Sequence, residues 1–181
     1  NKGGEYRKWY GNNDFVVNWE NKGYEIKNFK DDKGKLRSRP QGSDFYFLPV
    51  ITWTKISSSK VAFRIKEKGT ISSEAGMTIS VSESLREYIL GFLNCNVAQY
   101  ILNALSPTLN YELGDIAKLP VLNSERYIEK IKSEVLLCEH MAKDDWDFFE
   151  TSWDFQSHPL ISKASTIAES FEQWKDASEE R

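Results

Sequence analysis

Val50-Ile51-Thr52-Trp53-Thr54, followed by Lys60-Val61-Ala62-Phe63-Arg64-Ile65, decides the fold class. Both runs are dense in β-branched and aromatic residues, whose side chains suit a pleated surface, so both predict strands. Met77 to Val81 is a third candidate. Toward the N-terminus, Phe15-Val16-Val17-Asn18-Trp19 and Tyr24-Glu25-Ile26 are shorter β-like runs, separated by the turn-forming Asn21, Lys22 and Gly23. Asp31-Asp32-Lys33-Gly34-Lys35 is a polar turn, and Arg37 to Ser43, with Pro40 and Gly42, is an exposed loop.

Toward the C-terminus the period changes. Ser84-Leu85-Arg86-Glu87 is a capping-box sequence that marks a helix start. Leu85, Ile89, Phe92, Leu93, Val97, Tyr100, Ile101 and Ala104 follow at helical spacing, and Ser106-Pro107 closes the run. Being apolar on most of its circumference, this segment predicts one central core helix. Gly114 to Val121 is a short connector. Ile128, Ile131, Val135, Cys138 and Ala142 then form one apolar seam with a charged opposite face, to pack on a core or a partner helix. A last helix is predicted over 162–175, with Ile167, Phe171 and Trp174 on one side and a frayed end over 176–181. The expected class is α+β. A β-rich domain covers 1–122, with strands and loops over 1–82 and the core helix over about 84–105, and a helical spacer covers 123–181.

The 181 residues suffice for one domain with a core and a helical appendage. No apolar run approaches the roughly 18 residues of a membrane span and no signal peptide opens the chain, so a cytoplasmic protein without membrane contact is expected. Because the chain begins at Asn1 in sequence that looks structured, it is expected to be a fragment of a longer polypeptide. The widely spaced Cys95 and Cys138 are expected to be buried free thiols.

The net charge of −3 argues against a nucleic-acid partner, but it averages over unequal parts. Residues 1–70 carry 15 Lys and Arg against 8 Asp and Glu, a balance of +7, whereas 71–123 carry −3 and 124–181 carry −7. A basic N-terminal third can hold a polyanion while the acidic end faces elsewhere.

Signs of catalysis are missing. There is no glycine-rich dinucleotide loop, phosphate-binding loop or Gly-x-Ser-x-Gly elbow. His140 sits on the seam helix beside Cys138 and Glu139, but residues two apart do not converge on one metal, and His158 precedes Pro159 in a loop. Asp144, Asp145 and Asp147 are expected at a solvated helix start, where carboxylates suit the dipole. No catalytic or metal-binding residue is assigned.

The positive signal lies in the basic third. Arg7-Lys8-Trp9-Tyr10-Gly11-Asn12-Asn13 combines cations that neutralise phosphates, aromatic faces that stack or brace, and amides that read adenine edges. Arg37-Ser38-Arg39-Pro40-Gln41 repeats the theme on a loop. Thr52, Thr54, Ser57, Ser58 and Ser59 lie near Lys55 and Lys60, a phosphate-positioning composition. Trp9, Trp19 and Trp53 are individually expected to be core rather than stacking platforms. Arg7, Lys8, Arg37, Arg39, Lys55 and Lys60 are accordingly the candidates for DNA-backbone contacts, and Asn12, Asn13, Gln41 and Arg64 for base edges.

The strings themselves carry a resemblance. Asn1-Lys2-Gly3-Gly4-Glu5-Tyr6-Arg7-Lys8-Trp9-Tyr10-Gly11-Asn12, Phe15 to Asn21 and Ile51 to Ser58 resemble segments of the adenine-specific DNA methyltransferases of BREX phage-defence systems, the PglX family, and of related type II restriction-modification methylases. Ser106 to Tyr111, Gly114 to Val121 and Asp145-Trp146-Asp147-Phe148-Phe149-Glu150-Thr151-Ser152-Trp153-Asp154-Phe155 resemble the same proteins in the same order. That family carries an S-adenosylmethionine site and an Asn-Pro-Pro-Tyr catalytic motif. All five prolines here are isolated, so the fragment itself is expected to take no cofactor and not to methylate.

The resemblance implies the family's C-terminal target-recognition domain and the start of its spacer. It implies duplex DNA, the parent's methyltransferase domain and other defence-system subunits as partners. The target adenine would be flipped into a catalytic pocket elsewhere, because its N6 is unreachable inside the stack. Gly114 to Val121 followed by a long helix is also similar to the end of a recognition domain in type I specificity subunits, the first alternative. A second is a protein-interaction module that docks a partner on the Ile128–Ala142 seam.

Overall fold

The computed structural model describes residues 1–58, 60–106, 108–122, 124–161 and 164–179. Three short strands, β1 (Val50–Thr54), β2 (Phe63–Lys66) and β3 (Gly76–Ile79), form an antiparallel sheet in the order β2-β1-β3. Ile51 pairs with Ile65 on one side and Ile79 on the other, and Trp53 pairs with Phe63 and Met77. All three strands lie where β-branched and aromatic density predicts them. The helices are α1 (Glu20–Asn28), α2 (Arg86–Asn94), α3 (Asn96–Leu105), α4 (Leu113–Ile116), α5 (Glu125–Asp147) and α6 (Ile167–Glu179). The mixed α+β class is thus observed.

Side chains alternate across a strand, so Ile51, Trp53, Phe63 and Ile65 share one face of the sheet. They meet Leu90 and Leu93 of α2 and Ala98 and Leu102 of α3 in the core. The other face carries Thr52, Arg64 and Lys66, all buried as well. It is covered by the N-terminal segment: Asn1 Nδ2 bonds Thr52 Oγ1, Thr54 Oγ1 donates to the Gly4 carbonyl at 2.9 Å, and Lys66 Nζ donates to the Gly11 carbonyl at 2.9 Å. The same segment runs along the outer edge of β2, where Trp9 N–H donates to Phe63 O and Ile65 N–H to Trp9 O.

The single core helix expected over 84–105 does not form. Asn94 is buried, its Oδ1 accepting from Phe63 N–H at 3.1 Å and its Nδ2 donating to Phe63 O at 2.8 Å. A side-chain amide that mimics a strand neighbour competes with helix continuation. At Cys95 the backbone turns extended (φ −74°, ψ 156°), and its Sγ accepts from Ala98 N–H, capping α3. The helical phase is therefore reset, which leaves Val97 and Tyr100 exposed rather than packed. The capping box is also not made: Ser84 caps nothing, and Glu87 accepts from the adjacent Arg86 Nε at 2.9 Å. Pro107, expected as the terminator, lies outside the described residues; α3 ends at Leu105.

Two further expectations are overturned near the ends. Residues 15–19 form no strand, and Tyr24-Glu25-Ile26 lie inside α1. β1 is paired on both sides and the outer edge of β2 is occupied, so the sheet offers the Phe15 run no place there. Asn21, Lys22 and Gly23 are all left-handed (φ 50°, 59° and 74°), folding the chain under Trp19; a Cβ at Gly23 would sit 2.8 Å from the Trp19 ring. Asp144, Asp145 and Asp147 lie at the C-terminal end of α5, not at a helix start. Carboxylates there oppose the dipole. Nearby cations offset this: Lys143 bonds Asp147 at 2.6 Å, and Arg7 pairs with Asp145 at 3.5 Å.

The α5 seam is realised inside the chain. Val135 is buried and Ile131 half-buried against the core, and a Cβ at Gly91 of α2 would stand 2.8 Å from Val135 Cγ2, so the two helices touch closely. The last helix begins at Ile167; Ser162 and Lys163, where it was expected to start, lie outside the described residues, as do Glu180 and Arg181 of the expected frayed end. Cys95 and Cys138 are free and half-buried. No described helix is long and apolar enough to cross a membrane.

Replacing Asn94 with alanine strands the buried Phe63 N–H, while Phe63 O keeps its bond from Trp9 N–H, and should lower the unfolding free energy by about 2 kcal/mol in denaturant titrations.

Candidate nucleic-acid interface

The loops that the sheet and α5 hold apart enclose an open cleft of about 1010 Å³. One part of its wall is aromatic. Trp19, at the entry to α1, meets Tyr46 and Phe47 edge-on, with ring centroids 5.3 and 5.9 Å apart. Trp153, beyond the end of α5, adds a ring that is 69% exposed and is tethered by its Nε1–H to Asn13 O at 2.9 Å. The end of β2 and the chain after it supply Lys66 and Lys68, and the Arg37–Ser43 loop supplies Arg39 and Gln41.

Of the ten residues expected to touch DNA, the structure brings four onto this cleft. Asn12, Asn13, Arg39 and Gln41 line it, with Arg39 and Gln41 exposed. Asn12 is buried in a left-handed conformation (φ 56°), and its Nδ2 donates to Glu5 O at 2.9 Å. The other six lie elsewhere. Arg7 stacks over Trp146, 4.9 Å from the ring centroid, and Lys8 donates to Asn94 O at 3.0 Å. Lys55 is held between Glu74 and Glu112, each 3.2 Å away. Its bonds to Glu74 and then Glu112 raise its pKa. Arg37 stands 3.9 Å from Asp31, and Lys60 is exposed. Ser59, expected beside Lys60, lies outside the described residues.

Arg64 is fully buried in β2. Its Nη2 donates to Thr54 Oγ1 at 3.3 Å, its Nε has no partner, and burial lowers its pKa to about 10. Two residues on, Lys66 donates to the carbonyls of Gly11 and Asn12 and to Asn13 Oδ1. Burial first, then repulsion from Arg64, pushes the Lys66 pKa down to about 7, with Asp14 opposing. The hydrogen bonds that β2 makes through these two cations go to neutral acceptors.

Lys66, Lys68, Trp19 and Trp153 were missed by sequence reasoning. The first was signalled by Phe63-Arg64-Ile65-Lys66, where apolar and basic residues alternate with strand period and so put both cations on one face. Beside Asp154 of the cleft wall, Lys143 bonds Asp147 and Asp154 at 2.6 and 2.8 Å. Burial works against its charge, but these bonds outweigh it and raise its pKa. Among the described residues, no group of His, Cys, Asp and Glu could hold a metal.

No protein-family model matches the chain. Curated proteins do. The chain is 32% identical over 191 aligned positions to the adenine-specific methyltransferase PglX of Lacticaseibacillus casei (strain Zhang), a match covering 100% of this chain and 16% of that protein. It is 33% identical over 173 positions to the adenine-specific methyltransferase BrxX of Escherichia coli O9:H4 (strain HS), covering 94% of this chain and 13% of that protein. The chain thus spans only a small part of the length of these relatives.

The buried titrating groups set a pH profile. Glu139 on α5 is pushed up to about 7, by burial and then by Glu87, so the unfolded chain releases this proton first and stability falls as pH rises from about 4.5 to 7. Lys66 does the reverse. Between about 7 and 10.5 the unfolded chain binds the extra proton, so stability rises, approaching about 1.4 kcal/mol per pH unit for one proton. Unfolding midpoints measured from pH 4 to 10 should therefore pass through a minimum near neutrality. Glu139→Gln should flatten the acid limb and Lys66→Met the alkaline limb.

Proposed function

We propose that this chain, homologous throughout its length to a segment of adenine-specific methyltransferases, is the DNA-recognition part of a larger adenine-N6-specific DNA methyltransferase of a phage-defence or restriction-modification system. In this reading it grips duplex DNA and positions the target adenine for a catalytic domain of the parent protein, in the cytoplasm. The observation that carries it is the match itself. It covers the chain from end to end, while the sequence contains no Pro-Pro pair that could form the catalytic motif.

The parent would use S-adenosylmethionine, and the N-terminal glycines of this chain offer no loop to cradle it. The N-terminal glycines with positive φ already have their open sides filled: a Cβ at Gly3 would meet Ala75 O at 2.9 Å, and one at Gly4 would meet Asn12 Nδ2 at 2.6 Å. They serve close chain packing rather than a cradle for a ligand.

Accessibility divides the ten expected DNA contacts. Arg37, Arg39 and Lys60 are exposed and are the first choice for backbone phosphates. Arg7, Lys8 and Lys55 already hold protein partners and would have to exchange them to reach DNA. Gln41 is an exposed amide on the cleft and suits base edges, whereas Asn13 would have to release Lys66 from its Oδ1 and Asn12 is buried with its Nδ2 on Glu5 O. Arg64 is enclosed and supplies charge from within the sheet rather than a contact.

Binding to random duplex DNA should weaken with salt, with a log–log slope of about −0.9 per phosphate contacted. Arg37→Ala, Arg39→Ala and Lys60→Ala together should flatten that slope by roughly 2 to 3. A salt-independent response that ignores these substitutions would sink the DNA reading.

A further inference from the structure

The aromatic cleft has a composition that duplex gripping alone does not use. We propose that it lodges one unstacked nucleotide of the bound DNA, with the base against its aromatic faces and the phosphate toward its cations. The inference rests on the DNA-recognition reading above and names what the cleft within that interface holds.

Three features of an unstacked nucleotide each find a counterpart. Its base has two π-faces, and Trp19, Tyr46, Phe47 and Trp153 present rings to the cleft. Paired bases inside a duplex hide those faces; only an extruded or single-stranded base offers them. Its base edge needs paired donors and acceptors, and the exposed side-chain amide of Gln41 on the same cleft supplies both, with Asn13 Nδ2 as a further donor beside the Oδ1 that Lys66 holds. Its phosphate needs positive charge. Lys2, Arg39 and Lys68 line the cleft and are exposed, and Lys66 at the buried end of β2 gains its full charge as an anion approaches.

The carboxylates of the cleft do not cancel this charge. Glu74 is engaged by Lys55 at 3.2 Å and Asp154 by Lys143 at 2.8 Å, which leaves Glu67 facing Lys2, Arg39 and Lys68. Lys66 Nζ spends its donors on Gly11, Asn12 and Asn13, so it acts through its field while Arg39 and Lys68 make contact. A buried cation with neutral partners is unfavourable until an anion approaches it. At about 1010 Å³ the cleft is at the large end of the roughly 300–1,000 Å³ typical of small-ligand sites, roomy enough for one nucleotide.

The test compares three probes on the 181-residue chain: a paired duplex, the same duplex with a one-nucleotide bulge, and a phosphotyrosine peptide. The bulge has already lost its stacking, so it should bind about tenfold more tightly than the paired duplex and quench tryptophan fluorescence. Trp153 is exposed and its loss leaves the core intact, so Trp153→Ala should abolish that preference, whereas Lys60→Ala, away from the cleft, should weaken both DNAs alike and keep it. Trp153→Phe should restore part of it, because a stacking face returns. Equal affinity for bulged and paired DNA, with salt dependence intact, overturns the nucleotide proposal and leaves the DNA reading standing. A preference that survives both Trp153→Ala and Gln41→Ala overturns it too. Peptide binding tighter than bulged DNA reassigns the cleft to a protein partner, and no salt-dependent DNA binding at all overturns both readings.

Discussion

The amide of Asn94 on the backbone of Phe63 is the constraint around which the rest of the structure is arranged. A three-stranded sheet has two outer edges, and an open edge next to a core is a liability. Here the edge of β2 is closed by a side chain from the end of α2 and by the main chain of Trp9. The side chain fixes where α2 must stop. The main chain fixes the path of the N-terminal segment, and with it the placement of Gly11, Asn12 and Asn13 beside Lys66. One closure thus couples the helical layer, the sheet and the cleft wall.

The second face of the sheet follows from the same arrangement. Thr52, Arg64 and Lys66 would make an ordinary solvated face if nothing lay over them. Because the N-terminal segment covers them, two basic side chains are enclosed together, Lys66 bonded to carbonyls and an amide oxygen and Arg64 to the Thr54 hydroxyl with its Nε unpartnered. Such a face is costly in isolation and favourable toward anything negative that comes near. The charge asymmetry along the sequence is thereby turned into a local field at one end of β2.

The elements legible in the sequence were those whose signal and packing agree. β1, β2 and β3 lie in the runs marked by β-branched and aromatic residues or, for the third, by Met77 to Val81, and sit in the sheet, and the α5 seam packs on α2 at Gly91. Illegible were the places where one side chain overrides a pattern. Apolar spacing runs unbroken through Asn94 and Cys95, yet a tertiary hydrogen bond ends the helix there. Ser84 and Glu87 have the spacing of a cap, but Arg86 takes the carboxylate. Phe15 to Val17 look like a strand, and the sheet has no free place beside β1 or β2 for them. The site was half legible: amides and arginines in basic, aromatic segments pointed to Asn12, Asn13, Arg39 and Gln41. Composition could not tell free cations from engaged ones, so Lys55 and Lys60 looked alike in sequence, and Lys66 was passed over because its meaning depends on what covers it.

The tether from Trp153 to Asn13 joins residues 140 positions apart in sequence. The cleft therefore takes walls from the basic third, from β2 and the loop after it, and from the chain beyond α5. Modular exchange of this region between related proteins would have to respect that closure. A graft cut near residue 122, the natural seam by composition, would carry the amides and arginines of one parent and the tryptophan wall of another. The transferable unit is set by the ring of segments around the cleft, and it includes the turns after α5 together with the first thirteen residues.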